Sequence, residues 1–262
     1  MTLEVTQKYS LLQQSIADKQ KVAVAFSGGV DSSLVLYAAV QTLGTPNVLA
    51  LHAKLTFQGA DEFSEVKEVA DHIGCRLQAL PINPLAWPEF VENPDNRCYI
   101  CKKGIFSVFL EQLARENIVH LLDGTNADDL LQFRPGLKAL AELGVVSPLA
   151  DVGLGKKEIR SVSRSLGLPT WDKPSASCLA TRIDRDQKIT TEKLAKVAAI
   201  ERFLLERGYR GCRARLSFDR LLVELQSFDI VRFFESIDRP ELLDYVKKWG
   251  ISKVYLDILG RE

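Results

Sequence analysis

Lys21–Leu34 reads KVAVAFSGGVDSSL. Val22 to Phe26 is continuously apolar and bounded by Lys21 and Ser27, the pattern of a strand in a parallel sheet covered on both faces. The glycines that follow let backbone N–H groups approach a phosphate, and the helix expected from Ser32 to Leu43 presents its N-terminus to the negative charge. An ordinary glycine turn is the plain alternative, but strand, loop and helix fall where a phosphate site needs them. The loop is not a Walker A sequence, because no Gly-Lys-Ser/Thr ends it, nor the G-x-G-x-x-G dinucleotide fingerprint.

Outward from this loop the strand–helix alternation continues. An amphipathic helix at Leu3–Gln20 precedes it. Strands are predicted at Asn47–Lys54, Arg76–Ile82, His120–Asp123 and Val145–Pro148, and helices at Asp61–Ile73, Phe106–Arg115 and Lys156–Leu166. This rhythm predicts a doubly wound α/β parallel-sheet domain over residues 1–175. Near Trp171 the pattern changes to helices at Thr191–Arg207, Asp229–Ser236 and Glu241–Lys248, with β-like runs at Cys212–Phe218, Leu221–Leu225 and Lys253–Ile258. A smaller α/β C-terminal domain is therefore expected over residues 176–262.

Composition narrows the function. The 262 residues carry 34 Lys and Arg against 34 Asp and Glu, so a wholesale electrostatic grip on nucleic acid is disfavoured. The longest uncharged stretch, Ser32–Ala53, is broken by Gln41, Thr42, Gly44, Pro46 and Asn47, and no membrane span is predicted. The first twenty residues lack the basic start and apolar run of a signal peptide, so a cytoplasmic protein is expected. In that reducing setting Cys75, Cys98, Cys101, Cys178 and Cys212 read as core residues, ligands or reactive thiols.

Cys98 and Cys101 stand at i and i+3 near a helix start, facing one side, with Lys102 and Lys103 adjacent. Such a pair serves a redox couple, half a zinc site, part of an iron–sulfur site, or the core. The histidines, His52, His72 and His120, show no ligand spacing that would complete a zinc site. With Cys178 in Ser175-Ala176-Ser177-Cys178, three thiols suit a [4Fe–4S] cluster with one iron left open to carry sulfide. The alternative is Cys178 acting alone as a nucleophile. Cys75 and Cys212 read as core.

The loop SGGVDSS resembles that of the PP-loop ATP pyrophosphatases. Together with the run LDGTNADDLLQFRPGLKAL from Leu122 to Leu140 and SASCLATR around Cys178, the chain resembles the LarE-type family of ATP-dependent sulfur transferases in nickel-pincer nucleotide cofactor synthesis. The resemblance implies an adenine nucleotide alpha hydrolase-like fold, ATP, Mg²⁺ and pyrophosphate release. It implies adenylation of a carboxylate on a pyridinium carboxylate nucleotide, sulfur from a donor, and a homo-oligomer. It places Ser27, Gly28, Gly29, Asp31, Ser32, Ser33 and Gly124 at ATP, with Asp31 near Mg²⁺ and the main-chain edge around His52 at adenine. It places Lys102 near the sulfur as a base or electrostatic group, Cys98, Cys101 and Cys178 on the cluster, and Arg134, Arg182, Glu201, Arg213 and Arg215 at the substrate.

From Arg182 to Arg220 there are 11 Lys and Arg against 6 Asp and Glu, an excess suited to a phosphate and two carboxylates, although a solvated basic face reads the same way. Arg213 and Arg215 alternate on one strand face and could act as a pair. After Arg182-Ile183 the chain departs from the family pattern with Asp184-Arg185-Asp186. Two added carboxylates would repel an anionic nucleotide unless Arg185 offsets them, which bears on the substrate rather than the fold. Three competing readings remain: a tRNA-thiolating enzyme, disfavoured by zero net charge and the lack of an RNA-binding module; an ammonia-using synthetase, which leaves the cysteines idle; and a non-catalytic nucleotide-binding module.

Overall fold

The computed structural model describes residues 2–57, 60–132, 134–174 and 177–261. Ser175 and Ala176, where the expected domain boundary falls, and Phe133 of the Leu122–Leu140 run lie outside them. The elements run α1 (Leu3–Ala17), β1 (Val22–Ala25), α2 (Val30–Leu43), β2 (Val48–Leu55), α3 (Ala60–Ile73), β3 (Arg76–Ile82), α4 (Pro88–Val91), α5 (Arg97–Arg115) and β4 (His120–Leu122). They continue with α6 (Ala127–Leu130), α7 (Pro135–Glu142), α8 (Pro148–Asp151), α9 (Lys156–Ser165), α10 (Thr191–Glu206), β5 (Arg213–Ser217), β6 (Arg220–Glu224), α11 (Ile230–Glu235), α12 (Asp238–Lys247) and β7 (Lys253–Leu256). Two compact units result: Met1–Pro84 with Asn96–Ser175, and Leu85–Asp95 with Ala176–Glu262. Leu85–Asp95 thus groups with the second unit, whereas the sequence reading kept it in the first.

In the first unit four parallel strands lie in the order β3-β2-β1-β4. Val22, Ala23 and Val24 of β1 are fully buried because the strand is paired on both sides and covered on both faces. The chain steps outward from β1 to β2 and β3, then returns to place β4 on the other side of β1. The strand order therefore reverses between β1 and β4, and a crevice opens at their carboxyl ends. Leu12 and Ile16 of α1, Leu34, Val35 and Leu36 of α2, and Ile159 and Val162 of α9 share the core on one side. In α9 the spacing of Ile159 and Val162 puts both on one face and leaves the basic residues outside.

Val145–Pro148 is not the strand its apolar character predicts. Val146 makes one parallel bridge to Leu122, with Asp123 N donating to Val146 O (2.9 Å) and Val146 N to Leu121 O (3.0 Å). Pro148 then opens α8, because a residue without an N–H ends pairing and suits a helix first turn. Helices α6 and α7, to which the sequence reading assigns no element, begin within the Leu122–Leu140 run.

In the second unit β5 and β6 pair antiparallel (Arg213↔Glu224), and β6 and β7 pair parallel (Arg220↔Lys253). Helix α10 packs on β5 and buries Leu194, Val197, Ile200, Phe203 and Leu204 along one stripe. Asn93, buried and left-handed at φ 61°, donates from Nδ2 to Asp184 O (2.7 Å) and Gln187 O (3.0 Å), fixing the turn that carries the departure from the family pattern. Arg185 on that turn is ion-paired with Asp95, so its charge is engaged there rather than with Asp184 or Asp186.

Candidate active site

The loop after β1 is built by side-chain bonds that leave helix α2 open at its start. Ser32 Oγ accepts from Ser27 N (3.2 Å) and donates to Gly29 O (3.2 Å), and Ser27 Oγ accepts from Gly29 N (3.3 Å). Gly28 sits at φ +72°, and a Cβ there would stand 2.8 Å from Val66 Cγ2, so glycine is required on two counts. Gly29 is the N-cap of α2 and offers no side-chain cap, so the first N–H groups of the helix remain available to an anion. Ser33, in contrast, is fully buried, and its hydroxyl has no partner in the structure.

The other wall of the crevice comes from the residues after β4. Gly124 packs backbone-to-backbone on Ser32. Asn126 caps α6 by accepting from Asp128 N (3.0 Å) and Asp129 N (3.2 Å), and its Nδ2 donates to Asp31 Oδ1 (3.4 Å). Asp128 accepts from Lys156 N (2.7 Å), which places Lys156 so that its ammonium is ion-paired with Asp31. Lys173 Nζ donates to Gly28 O (3.3 Å) and pairs with Glu65 (2.9 Å). Two lysines therefore flank the loop. Arg134 pairs with Asp129 (2.9 Å) at the start of α7.

The last pair between β1 and β2 is Ala25↔Leu51, and β2 continues to Leu55, so the main chain of His52–Lys54 runs beyond β1. The His52 ring is buried, and its Nδ1 donates to Phe26 O (2.9 Å), since a carbonyl can only accept. Burial pulls its pKa down, which keeps the ring neutral. The ring is thus a structural tie between β1 and β2.

Cys98 is exposed and Cys101 half-buried, in the opening turns of α5. Lys102 Nζ lies 3.6 Å from Asp123 Oδ2, while Lys103 turns to Tyr99 (2.8 Å) and Glu142 (2.9 Å). In the second unit Cys178 is exposed, and its carbonyl accepts from Thr181 N (2.9 Å) and Thr181 Oγ1 (2.7 Å). Among the described residues no three His, Cys, Asp or Glu side chains form a group that could hold a metal ion. Cys75 and Cys212 are buried, and burial pushes their thiols up to about 11 and about 12, so neither is a nucleophile at neutral pH.

The second unit also gathers guanidinium groups. Arg182, buried, donates from Nε to Glu201 Oε1 (2.6 Å) and from Nη1 to Ser177 Oγ (2.6 Å). Glu201 Oε1 also accepts from Ala214 N (3.0 Å). Arg215 is ion-paired with Glu224 and donates to Thr181 O (3.2 Å), and Arg261 Nη1 meets Glu224 Oε2 (3.2 Å). Burial, then Arg261 and Arg182, pull the Arg213 pKa down. Arg261 Nε is buried with no acceptor in the structure. Four arginines against two glutamates leave an excess of positive charge and an unanswered donor.

Sequence reasoning missed Lys156, Asn126, Lys173, Asp123 and Arg261. Lys156 carries a signal: a cation at a helix N-terminus opposes the macrodipole and asks for a partner. Arg261 carries none, since its neighbour Glu224 is far away in sequence.

A glycine loop after a central parallel strand, an uncapped helix and a strand-order reversal beside it define a nucleotide-phosphate site of the open α/β class. A family model described as asparagine synthase matches residues 9–202. The chain is 31% identical to pyridinium-3,5-bisthiocarboxylic acid mononucleotide synthase of Lactiplantibacillus plantarum, over 97% of this chain and 91% of that protein. It is 34% identical to an uncharacterised protein of Synechocystis over 97% of this chain and 94% of that protein, and 27% identical to the NH₃-dependent NAD⁺ synthetase of Chlorobaculum tepidum over 60% and 58%. The chain belongs to the PP-loop ATP pyrophosphatase superfamily and, within it, to the LarE-type family. It is an ATP-using enzyme. Among the described residues no helix is long and apolar enough to cross a membrane.

Proposed function

We propose that the protein is an ATP-dependent sulfur transferase acting on a pyridinium-3,5-dicarboxylate mononucleotide in nickel-pincer nucleotide synthesis. The observation that carries this reading is the match along nearly the whole chain to a bisthiocarboxylic acid mononucleotide synthase. A substrate carboxylate oxygen attacks the α-phosphorus of ATP, the α–β bridge breaks, and pyrophosphate leaves. A sulfur nucleophile then attacks the acyl carbon, and AMP departs with the carboxylate oxygen. The open N–H groups of α2 and the lysines flanking the loop hold the pyrophosphate, and Asp31, now paired with Lys156, is the carboxylate that would hold Mg²⁺, which would offset charge on the phosphates. Arg134 at the start of α7, and Arg182, Arg213 and Arg215 with Glu201, take the substrate's anionic groups.

Cys98, Cys101 and Cys178 are the thiols that would hold a [4Fe–4S] cluster, and when bound such a cluster would supply labile sulfide. Lys102 offsets negative charge developing near the sulfur. The protein works in the cytoplasm as a homo-oligomer with an external sulfur donor. Anaerobic incubation with ATP, Mg²⁺, the dicarboxylate mononucleotide and sulfide is expected to release pyrophosphate and AMP and to yield a product with oxygen replaced by sulfur. Cys178→Ser abolishes that product and leaves ATP binding intact, because the nucleotide contacts lie on the loop; retained thiolation overturns the assignment. Iron analysis tests the cluster: about four irons per chain, lost in Cys98→Ala/Cys101→Ala, are expected. Absence of iron would leave Cys178 as a single-use sulfur donor.

A further inference from the structure

Asp123 lies one residue beyond β4, almost fully buried, at the carboxyl edge of the sheet beside the phosphate loop. Its oxygens are fixed by three donors: Thr125 N (3.1 Å) and Ser147 Oγ (2.7 Å) to Oδ1, and Thr125 Oγ1 (2.6 Å) to Oδ2. The carboxylate therefore cannot swing away, and its remaining charge faces the Lys102 ammonium at 3.6 Å. Two further neighbours confine that side chain. A Cβ at Gly136 would stand 2.9 Å from Lys102 Cδ, so any larger residue there obliges the lysine stem to shift, and Nζ lies 5.7 Å above the Phe106 ring. Gly136 is in α7 with no positive φ, so its backbone does not call for glycine. The space for Lys102 does.

We propose that Asp123 is a positioning residue that, with Gly136, holds the Lys102 ammonium at the end of β4. Asp123 directly precedes Gly124, which touches the phosphate loop, and Lys102 directly follows Cys101 in α5. This rests on the sulfur-transfer reading, in which Lys102 meets the charge that develops as the acyl adenylate is attacked. A fixed ammonium is worth more there than a mobile one, because no reorganisation is needed during the reaction.

Gly136→Ala is the cleanest test, since alanine favours the helix and leaves the donors of Asp123 untouched. It is expected to melt no lower than wild type and to bind ATP equally, yet to form thiolated product about tenfold more slowly. Asp123→Asn should lose a similar factor in kcat. In a Lys102→Ala background neither substitution should cost more than about twofold. Losses that multiply with that of Lys102→Ala, or a Gly136→Ala enzyme as fast as wild type, overturn the proposal. Crystal structures of wild type and Asp123→Asn give a readout independent of substrate: an ordered Lys102 side chain beside Asp123, released in the variant. If wild type makes no thiolated product the functional reading falls, and a Lys102 pointing elsewhere in the wild-type crystal overturns the positioning.

Discussion

The main chain of Gly124 lies directly against that of Ser32: a Cβ at position 124 would stand 2.8 Å from the Ser32 amide nitrogen and 3.2 Å from the Asp31 carbonyl carbon. Both partners are backbone at the start of α2, so neither can turn aside as a side chain would. Gly124→Ala must push the β4 segment away from the phosphate loop. ATP binding is expected to weaken about tenfold, or 1.4 kcal/mol, by calorimetry. Unchanged affinity would mean that the loop and the β4 segment move apart without consequence for the nucleotide.

The pairing of Lys156 with Asp31 couples the charge that would hold Mg²⁺ to one that would hold phosphate. Asp31→Asn is expected to lower pyrophosphate release, and unchanged release would move the metal to another residue. Lys156→Ala removes a partly exposed ion pair, which contributes at most about 1 kcal/mol to stability. Its larger effect is on the pyrophosphate assay, where a loss of about tenfold is expected. A melting loss with normal release would make the pair structural only.

Arg261 gives a third expectation. Its Nη1 holds Glu224, but its buried Nε has no acceptor, and leaving a donor unmet costs about 1–3 kcal/mol. A substrate anion bridging Arg213 and Arg261 would meet that donor and offset the guanidinium repulsion that, after burial, pulls the Arg213 pKa down. Arg261→Ala should raise the substrate KM about tenfold, with ATP affinity unchanged. An unaltered KM would confine Arg261 to holding Glu224.

Much of the first unit is written locally. Val22–Phe26 and SGGVDSS state strand, turn and helix in adjacent residues, and the structure places Gly28, Gly29 and Ser32 as that reading requires. Val145–Pro148 misleads because an apolar run bears on burial, while pairing depends on neighbours; here Pro148 stops the ladder after one bridge. Leu85–Asp95 joins the second unit through Asn93, whose partners near Asp184 lie some ninety positions away and leave no local mark. The ties of Lys102 to Asp123 and of Lys156 to Asp31 are equally non-local. Arg185 could be expected to offset its flanking aspartates, but the fold supplies Asp95 instead.

The two buried thiols set an alkaline limit on stability. In the folded chain Cys75 is held at about 11 and Cys212 at about 12, against 9.0 for an ordinary thiol, because burial opposes the thiolate. Between pH 9 and the folded values, the unfolded chain has lost these protons while the folded chain keeps them, so rising pH favours unfolding. Each thiol costs about 1.4 kcal/mol per pH unit in that window and nothing below it. Urea denaturation from pH 8 to 10.5 should show stability level at first and then falling. Cys75→Ala/Cys212→Ala, although less stable at pH 8 from lost packing, should fall less steeply above pH 9. Parallel slopes for the two proteins would mean that the thiols are hydrated in the folded state and titrate as they do when unfolded.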